Sequence, residues 1–270
     1  MNYASNQGVN IAWYSDGDHQ LPALFLCNSI GTDHHVWDDI LPVLSEHYRV
    51  IRMDTRGHGA SDAPSLSSGD SALESPPSYT MEQLASDIEA VAQAAGLTRF
   101  SLCGVSLGAM MAMQYALDYP ARVDKLILSN TSVQMDPAAW QTRIDTVRQH
   151  GMAAIVEMAM SRFFTPEYVQ ANSLAYQHVR STFLALNPLG YTACCAAIRD
   201  MQLSQVIQGI KVPTLVLTGA RDMSTPHAAG QYIAQAIPGA VIQQLSAAHI
   251  PANEIPSEFF AALHAFIQSN

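Results

Sequence analysis

The sequence predicts an α/β fold, a mostly parallel central sheet flanked by helices with an inserted helical cap. Three observations predict it. Apolar runs of strand length alternate with stretches of helical periodicity along most of the 270 residues, the pattern of a parallel sheet covered on both faces. Residues 100–115 read as strand, sharp turn and helix around the pentapeptide Gly104-Val105-Ser106-Leu107-Gly108. Between residues 133 and 207 strand signals disappear and helical patterns take over, punctuated by Pro137, Pro166 and Pro188. The expected organisation is a core of residues 1–132 and 208–270 with a helical cap, 133–207, inserted between them.

Taken in order, residues 9–14 alternate like a first strand, and Asp16-Gly17-Asp18 supplies turn chemistry. Residues 24–27 form a short buried strand that runs into Asn28-Ser29-Ile30-Gly31-Thr32. Trp37, Ile40, Leu41 and Leu44 recur at three- and four-residue spacing, which predicts one amphipathic helix, followed by a strand over 48–53. The polar run 54–62 (DTRGHGASD) then lies at a strand's C-terminal end, where open α/β sheets place ligands. Ser, Pro and Gly dominate residues 63–79, and the excursion from Ser65 to Ser78 is expected on the surface. An amphipathic helix over 81–95 stops at Gly96. Strands are expected at 125–130, 212–218 and 241–245, and helices at 227–236 and 257–266.

Composition bounds the partners. A hydrophobic fraction of 49% with 13% charged residues describes a globular chain with a generous interior. The formal charge of −10, with only Lys125 and Lys211 as lysines, argues against nucleic acid and anionic membranes. An anionic substrate would therefore need a local arginine. The N-terminal stretch lacks a basic start followed by an apolar run, and no 18 consecutive apolar residues occur, so the expectation is no signal peptide, no membrane span and a cytoplasmic location. Cys27, Cys103, Cys194 and Cys195 lack C-x-x-C spacing and read as reduced thiols, with neither a disulfide framework nor a zinc site. No metal site is expected from His34, His35 and His58, which read as loop or pocket-wall residues. A homo-oligomer stays open.

The chemistry centres on Ser106. A serine hydroxyl is a poor nucleophile at neutral pH, so it needs a histidine base and a carboxylate to orient that base. In a strand-turn-helix elbow the chain order is serine, acid, histidine. Asp222, just past VPTLVLTGA, and His249, just past VIQQLS, meet that order on two later loops at the same sheet edge. A turn aspartate and a surface histidine are the plain alternatives, and the strand ahead of each argues against them. The oxyanion hole is expected from the backbone N–H groups of Leu107 and Ile30. Met110, Met111 and Met113 read as core packing behind the elbow.

Nearly the whole chain resembles the α/β-hydrolase superfamily, from the NSIGTD loop through DTRGHGASD, GVSLG and GARD to the final AAH. More closely it resembles the 3-oxoadipate enol-lactone hydrolases of aromatic-compound breakdown. That likeness is carried by Leu128-Ser129-Asn130-Thr131, by Arg162-Phe163-Phe164-Thr165-Pro166 and above all by residues 190–200, GYTACCAAIRD. The excursion at 65–78 is longer than that family's, and Ile250-Pro251-Ala252-Asn253-Glu254 follows His249 where a Leu-Ser-Asn-like continuation is usual. The resemblance implies a serine hydrolase that opens a small anionic enol-lactone, 3-oxoadipate enol-lactone to 3-oxoadipate, without a cofactor. The carboxylate of such a substrate needs positive charge, for which the cap offers Arg143, Arg162 and Arg199, and Trp140 could add an apolar wall or an N–H donor. A general carboxylesterase or a C–C bond hydrolase of the same fold, and a noncatalytic small-molecule receptor, are the alternatives.

Overall fold

The computed structural model describes residues 1–64 and 77–269, so residues 65–76 of the expected excursion lie outside the described residues. One sheet contains β1 (Asn2–Asn6), β2 (Val9–Asp16), β3 (Ala23–Cys27), β4 (Arg49–Met53), β5 (Phe100–Val105), β6 (Val123–Ser129), β7 (Thr214–Gly219) and β8 (Val241–Leu245). Their order is β1-β2-β4-β3-β5-β6-β7-β8, with antiparallel pairing at β1–β2 and β2–β4 and parallel pairing from β4 onward. β5 lies near the middle of the sheet and is buried along its entire length, which is why its sequence is apolar without alternation.

The helices around the sheet are α1 (Leu41–His47), α2 (Met81–Ala94), α3 (Leu107–Asp118), α9 (His227–Ala236), α10 (Pro251–Glu254) and α11 (Pro256–Gln268), and between β6 and β7 run α4 (Pro137–His150), α5 (Val156–Phe163), α6 (Pro166–Ala171), α7 (Leu174–Ala185) and α8 (Pro188–Asp200). The prolines that punctuate this region mark helix starts. Pro137, Pro166 and Pro188 each open a helix directly after a side-chain cap, Asp136, Thr165 and Asn187, the place where a missing N–H costs nothing. α8 is the deepest of the five: Gly190 to Ile198 are all buried. Gly190 and Gly57 leave no room for a Cβ on either, because each backbone lies against the other, and Tyr79 N–H donates to Ala193 O at 3.2 Å.

Two expectations are corrected. The single helix read from Trp37 to Leu44 is a one-turn 3₁₀ segment (His34–Trp37) followed by α1. Pro42 is the reason, since a proline fits the first turn of a helix and not its interior. β1 carries no apolar run and was not expected as a strand. It forms because Gln7 and Gly8, both at positive φ (53° and 78°), make a tight turn that folds the segment onto β2.

Candidate functional site

β5 ends and α3 begins at Ser106, whose backbone takes φ 57° and ψ −116°. A non-glycine residue held there costs on the order of 1–3 kcal/mol and persists only where its surroundings enforce it. Here the surroundings are two glycines. A Cβ on Gly104 would collide with the backbone of Gly108, and one on Gly108 with the carbonyls of Cys27 and Asn28 at the end of β3. The turn is then pinned by Ser106 N–H to Ser129 O (3.0 Å) and by the Thr131 hydroxyl to Ser106 O (2.9 Å).

Asp222 follows β7 and His249 follows β8, and the parallel order of β5, β6, β7 and β8 brings both loops to the edge where Ser106 sits. His249 Nδ1 lies 2.8 Å from Asp222 Oδ2. The same oxygen accepts from the Thr225 hydroxyl (2.8 Å) and Asn130 Nδ2 (2.9 Å), while Oδ1 accepts from the amides of Ser224 (2.8 Å) and Thr225 (3.0 Å). Burial pushes the Asp222 carboxyl up, but His249 and the Thr225 and Asn130 donors outweigh it and hold it at about 2. An ionised Asp222 fixes His249 with Nδ1 as donor and leaves Nε2 as the free acceptor. The His249 ring stacks on Phe163 at 5.7 Å, and its backbone N–H donates to Phe163 O at 3.1 Å, so α5 reaches down to set the imidazole.

Ser106 and His249 open onto a cavity of about 370 Å³. Among the described residues no hydrogen bond joins their side chains, a contact that in unliganded sites commonly tightens only when substrate arrives. Ile30 lies on the cavity wall. The amides on either side of the expected oxyanion donors are engaged, Gly31 N–H by His58 Nε2 (3.0 Å) and Ser106 N–H by Ser129 O. Those of Ile30 and Leu107 have no acceptor among the described residues and stay free to donate. Leu107 is also the first residue of α3, so its N–H carries the positive end of the helix.

The cap wall comes from α4 and α5. Trp140, Arg143, Met158 and Arg162 line the cavity with Met110 and Thr225 from the core. The Arg143 guanidinium lies over the Trp140 ring at 4.6 Å. Arg199 does not reach this wall. It is held by Asp200 (2.6 and 2.7 Å) and by Gln141 (2.5 Å), so its charge is already answered on the far side of α4. None of residues 190–200 lines the cavity; the run packs the cap onto the core.

Sequence reasoning missed two supporting residues. Asn130, at positive φ (49°), ties Asp222 to Ala248 O (2.9 Å) through one amide. A polar Ser-Asn-Thr at the end of the strand beside the elbow was the available signal. His58 is fully buried, and burial pushes it down to about 4, so it is neutral near pH 7 and accepts from Gly31 while facing Arg56 O with Nδ1 (3.3 Å). Nothing in DTRGHGASD indicates that partner.

A model of the alpha/beta hydrolase fold family matches residues 22–252. The chain belongs to the α/β-hydrolase family. It is similar to 3-oxoadipate enol-lactonase 2 of Acinetobacter baylyi, 30% identical over 98% of this chain and 95% of that relative. Among solved structures this α/β-hydrolase is similar to the enol-lactonase from Burkholderia xenovorans LB400, with a TM-score of 0.93 and 32% identity over 99% of this chain and 100% of that one. It is also similar to a thermophilic esterase from Thermogutta terrifontis in a malate-bound structure, with a TM-score of 0.87 and 25% identity over 99% and 97% of the two chains.

Proposed function

We propose that this α/β-hydrolase is a serine hydrolase that opens a carboxylate-bearing enol-lactone, with 3-oxoadipate enol-lactone as the leading substrate. The observation that carries the substrate class is the charge of the cap wall. Arg143 and Arg162 line the cavity onto which Ser106 opens, and among the described residues neither has a carboxylate partner, in a chain of net charge −10. Guanidiniums left unanswered beside a nucleophile suit a substrate that brings its own carboxylate. The similarity to enol-lactonases over the full length supports the same reading.

In this mechanism His249, oriented by Asp222, removes the Ser106 proton as Oγ attacks the lactone carbonyl. The Ile30 and Leu107 amides hold the oxyanion, and loss of one such donor costs about 2.7–4 kcal/mol. Collapse breaks the ring C–O bond and expels an enolate, whose delocalised charge lowers the acid strength required; the proton that His249 took from Ser106 passes to that enolate, which becomes the ketone and leaves His249 neutral. Water activated by His249 then hydrolyses the acyl-enzyme, which releases the dicarboxylate and restores Ser106. No step uses a cofactor. The four cysteines, all buried and unpaired, fit a reducing compartment, and the cytoplasm is the proposed location; among the described residues no single helix is long and apolar enough to cross a membrane.

The test follows enol-lactone absorbance with wild type and Ser106→Ala, beside a panel of neutral short-chain esters. The proposal requires turnover of the lactone that Ser106→Ala abolishes and a higher kcat/KM for the lactone than for any neutral ester. Preference for neutral esters would make the protein a general carboxylesterase, and failure of the wild type to react with a serine-directed probe would leave a noncatalytic receptor.

A further inference from the structure

Away from the cavity, the seam between core and cap gathers Asp33, His35 and His178. Asp33 closes the loop after β3 as the cap of the 3₁₀ segment His34–Trp37, His35 sits in that segment, and His178 belongs to α7. One donor atom from each lies within 4.8 Å of the others. His35 Nδ1 is 3.2 Å from Asp33 Oδ2, and His178 Nε2 is 3.6 Å from Asp33 Oδ1. Around a tetrahedral ion with bonds of 2.0–2.1 Å the donors stand about 3.3 Å apart; the two histidines approach different oxygens of Asp33, so the carboxylate turns and the rings draw in when an ion takes the shared point. A second observation points the same way: His35 Nδ1 is a buried atom whose approach to Asp33 Oδ2 lacks hydrogen-bond geometry, so its lone pair or proton is not satisfied there. Its neighbour His34 is committed to Asp54 at 2.9 Å, so its Nδ1 is not an alternative donor. The His35 and His178 side chains keep 40% and 44% of their surface in solvent, which gives an ion an entry path.

We propose that Asp33, His35 and His178 bind one divalent transition-metal ion of the zinc class and thereby clamp α7 onto the loop that carries Ile30. Two imidazoles and one carboxylate form a donor set that suits zinc, cobalt or nickel and disfavours magnesium and calcium. A water would complete the coordination, and the Thr182 hydroxyl, 3.3 Å from His178 Nε2, would turn away to release that nitrogen. The clamp acts on the cap because Phe183, on the same helix, already fills the space beside Gly31. The site is structural; no proton or bond of the proposed hydrolysis passes through it.

The test titrates the full chain with Zn²⁺ by calorimetry and with Co²⁺ by visible absorption, and follows amide hydrogen exchange with and without Zn²⁺. The expected result is one ion per chain, slowed exchange in residues 33–37 and 174–185, and binding weakened by more than about tenfold in His35→Asn and in His178→Asn. The control is His47→Asn with His264→Asn, a second pair of histidine rings 4.6 Å apart on α1 and α11, which should leave the titration unchanged. Three outcomes overturn the proposal: no ion bound by the wild type, undiminished binding in both single variants, or protection and binding that follow His47 and His264. The exchange pattern is read on the wild type, so a variant that folds poorly does not decide the matter.

Discussion

The two walls of the cavity are built on opposite principles. On the sheet edge, Ser106, Asp222 and His249 are buried, and the Asp222 carboxylate is held by Asn130, the Ser224 amide, the Thr225 amide and hydroxyl, and His249. On the cap, Arg143 rests on an aromatic ring and makes only long contacts to Tyr191 and Met158 (3.4 Å each), while Arg162 is exposed. On the proposed function the contrast separates two tasks. Bond breaking needs groups fixed to a fraction of an ångström, whereas holding a flexible anion tolerates long side chains. A change on the sheet edge should therefore act on kcat and a change on the cap on KM.

The largest expected effect is that of Ser106→Ala, which should lower kcat by about 10⁶-fold with the fold intact, measured as lactone turnover beside the circular dichroism spectrum. Asp222→Asn should cost about 10⁴-fold through the wrong His249 tautomer, and it also tests the carboxyl's role in stability. A folded value of about 2, below the unfolded 3.8, stabilises the protein above about pH 4 and loses that contribution as pH falls toward 2. The contribution is about 2 kcal/mol, and the pH dependence of Tm below pH 4 should flatten in the Asn variant.

Smaller effects are expected on the cap. Arg143→Ala combined with Arg162→Ala should raise KM for the anionic lactone by about 10–100-fold, the worth of a charge-assisted hydrogen bond, while neutral esters are unaffected. Unchanged KM in the double variant would break the division between the walls. Arg199→Ala should shift KM by less than about twofold, because that residue is half-buried, paired with the exposed Asp200 and does not line the cavity.

His58 sharpens the comparison from the core side. If its neutral Nε2 holds Gly31 and so aims the Ile30 amide, His58→Ala should lower kcat by about tenfold, less than outright loss of an oxyanion donor. A histidine held at about 4 stabilises the fold above its unfolded value near 6.5 and loses that contribution as pH falls from 6.5 toward 4. Thermal melts should place the His58 contribution in that window and the Asp222 contribution below it.

Much of the sheet edge was legible in the chain itself, because the groups that build it are local. Gly104 and Gly108 bracket the serine, and a strand precedes both Asp222 and His249. The split of the first helix is also marked in the sequence, by Pro42 in what becomes the first turn of α1. β1 was not, since it owes its form to the turn at Gln7-Gly8 and the partner strand it meets.

What the sequence by itself determined is the strand-and-helix alternation, the elbow and the order of serine, acid and histidine, since periodicity and glycine sterics act over a few residues. Only the tertiary structure decided that GYTACCAAIRD packs the cap onto the core, that Arg199 is already paired, and that Asn130, His58 and the Asp33, His35, His178 cluster have the partners they do. Arg199 and Asp200 are neighbours in the chain, but the ties of Arg199 to Gln141, of Asn130 to Asp222, of His58 to Gly31 and of His178 to Asp33 join residues tens to more than a hundred positions apart, and only the packing of helix on sheet sets which side chains meet there.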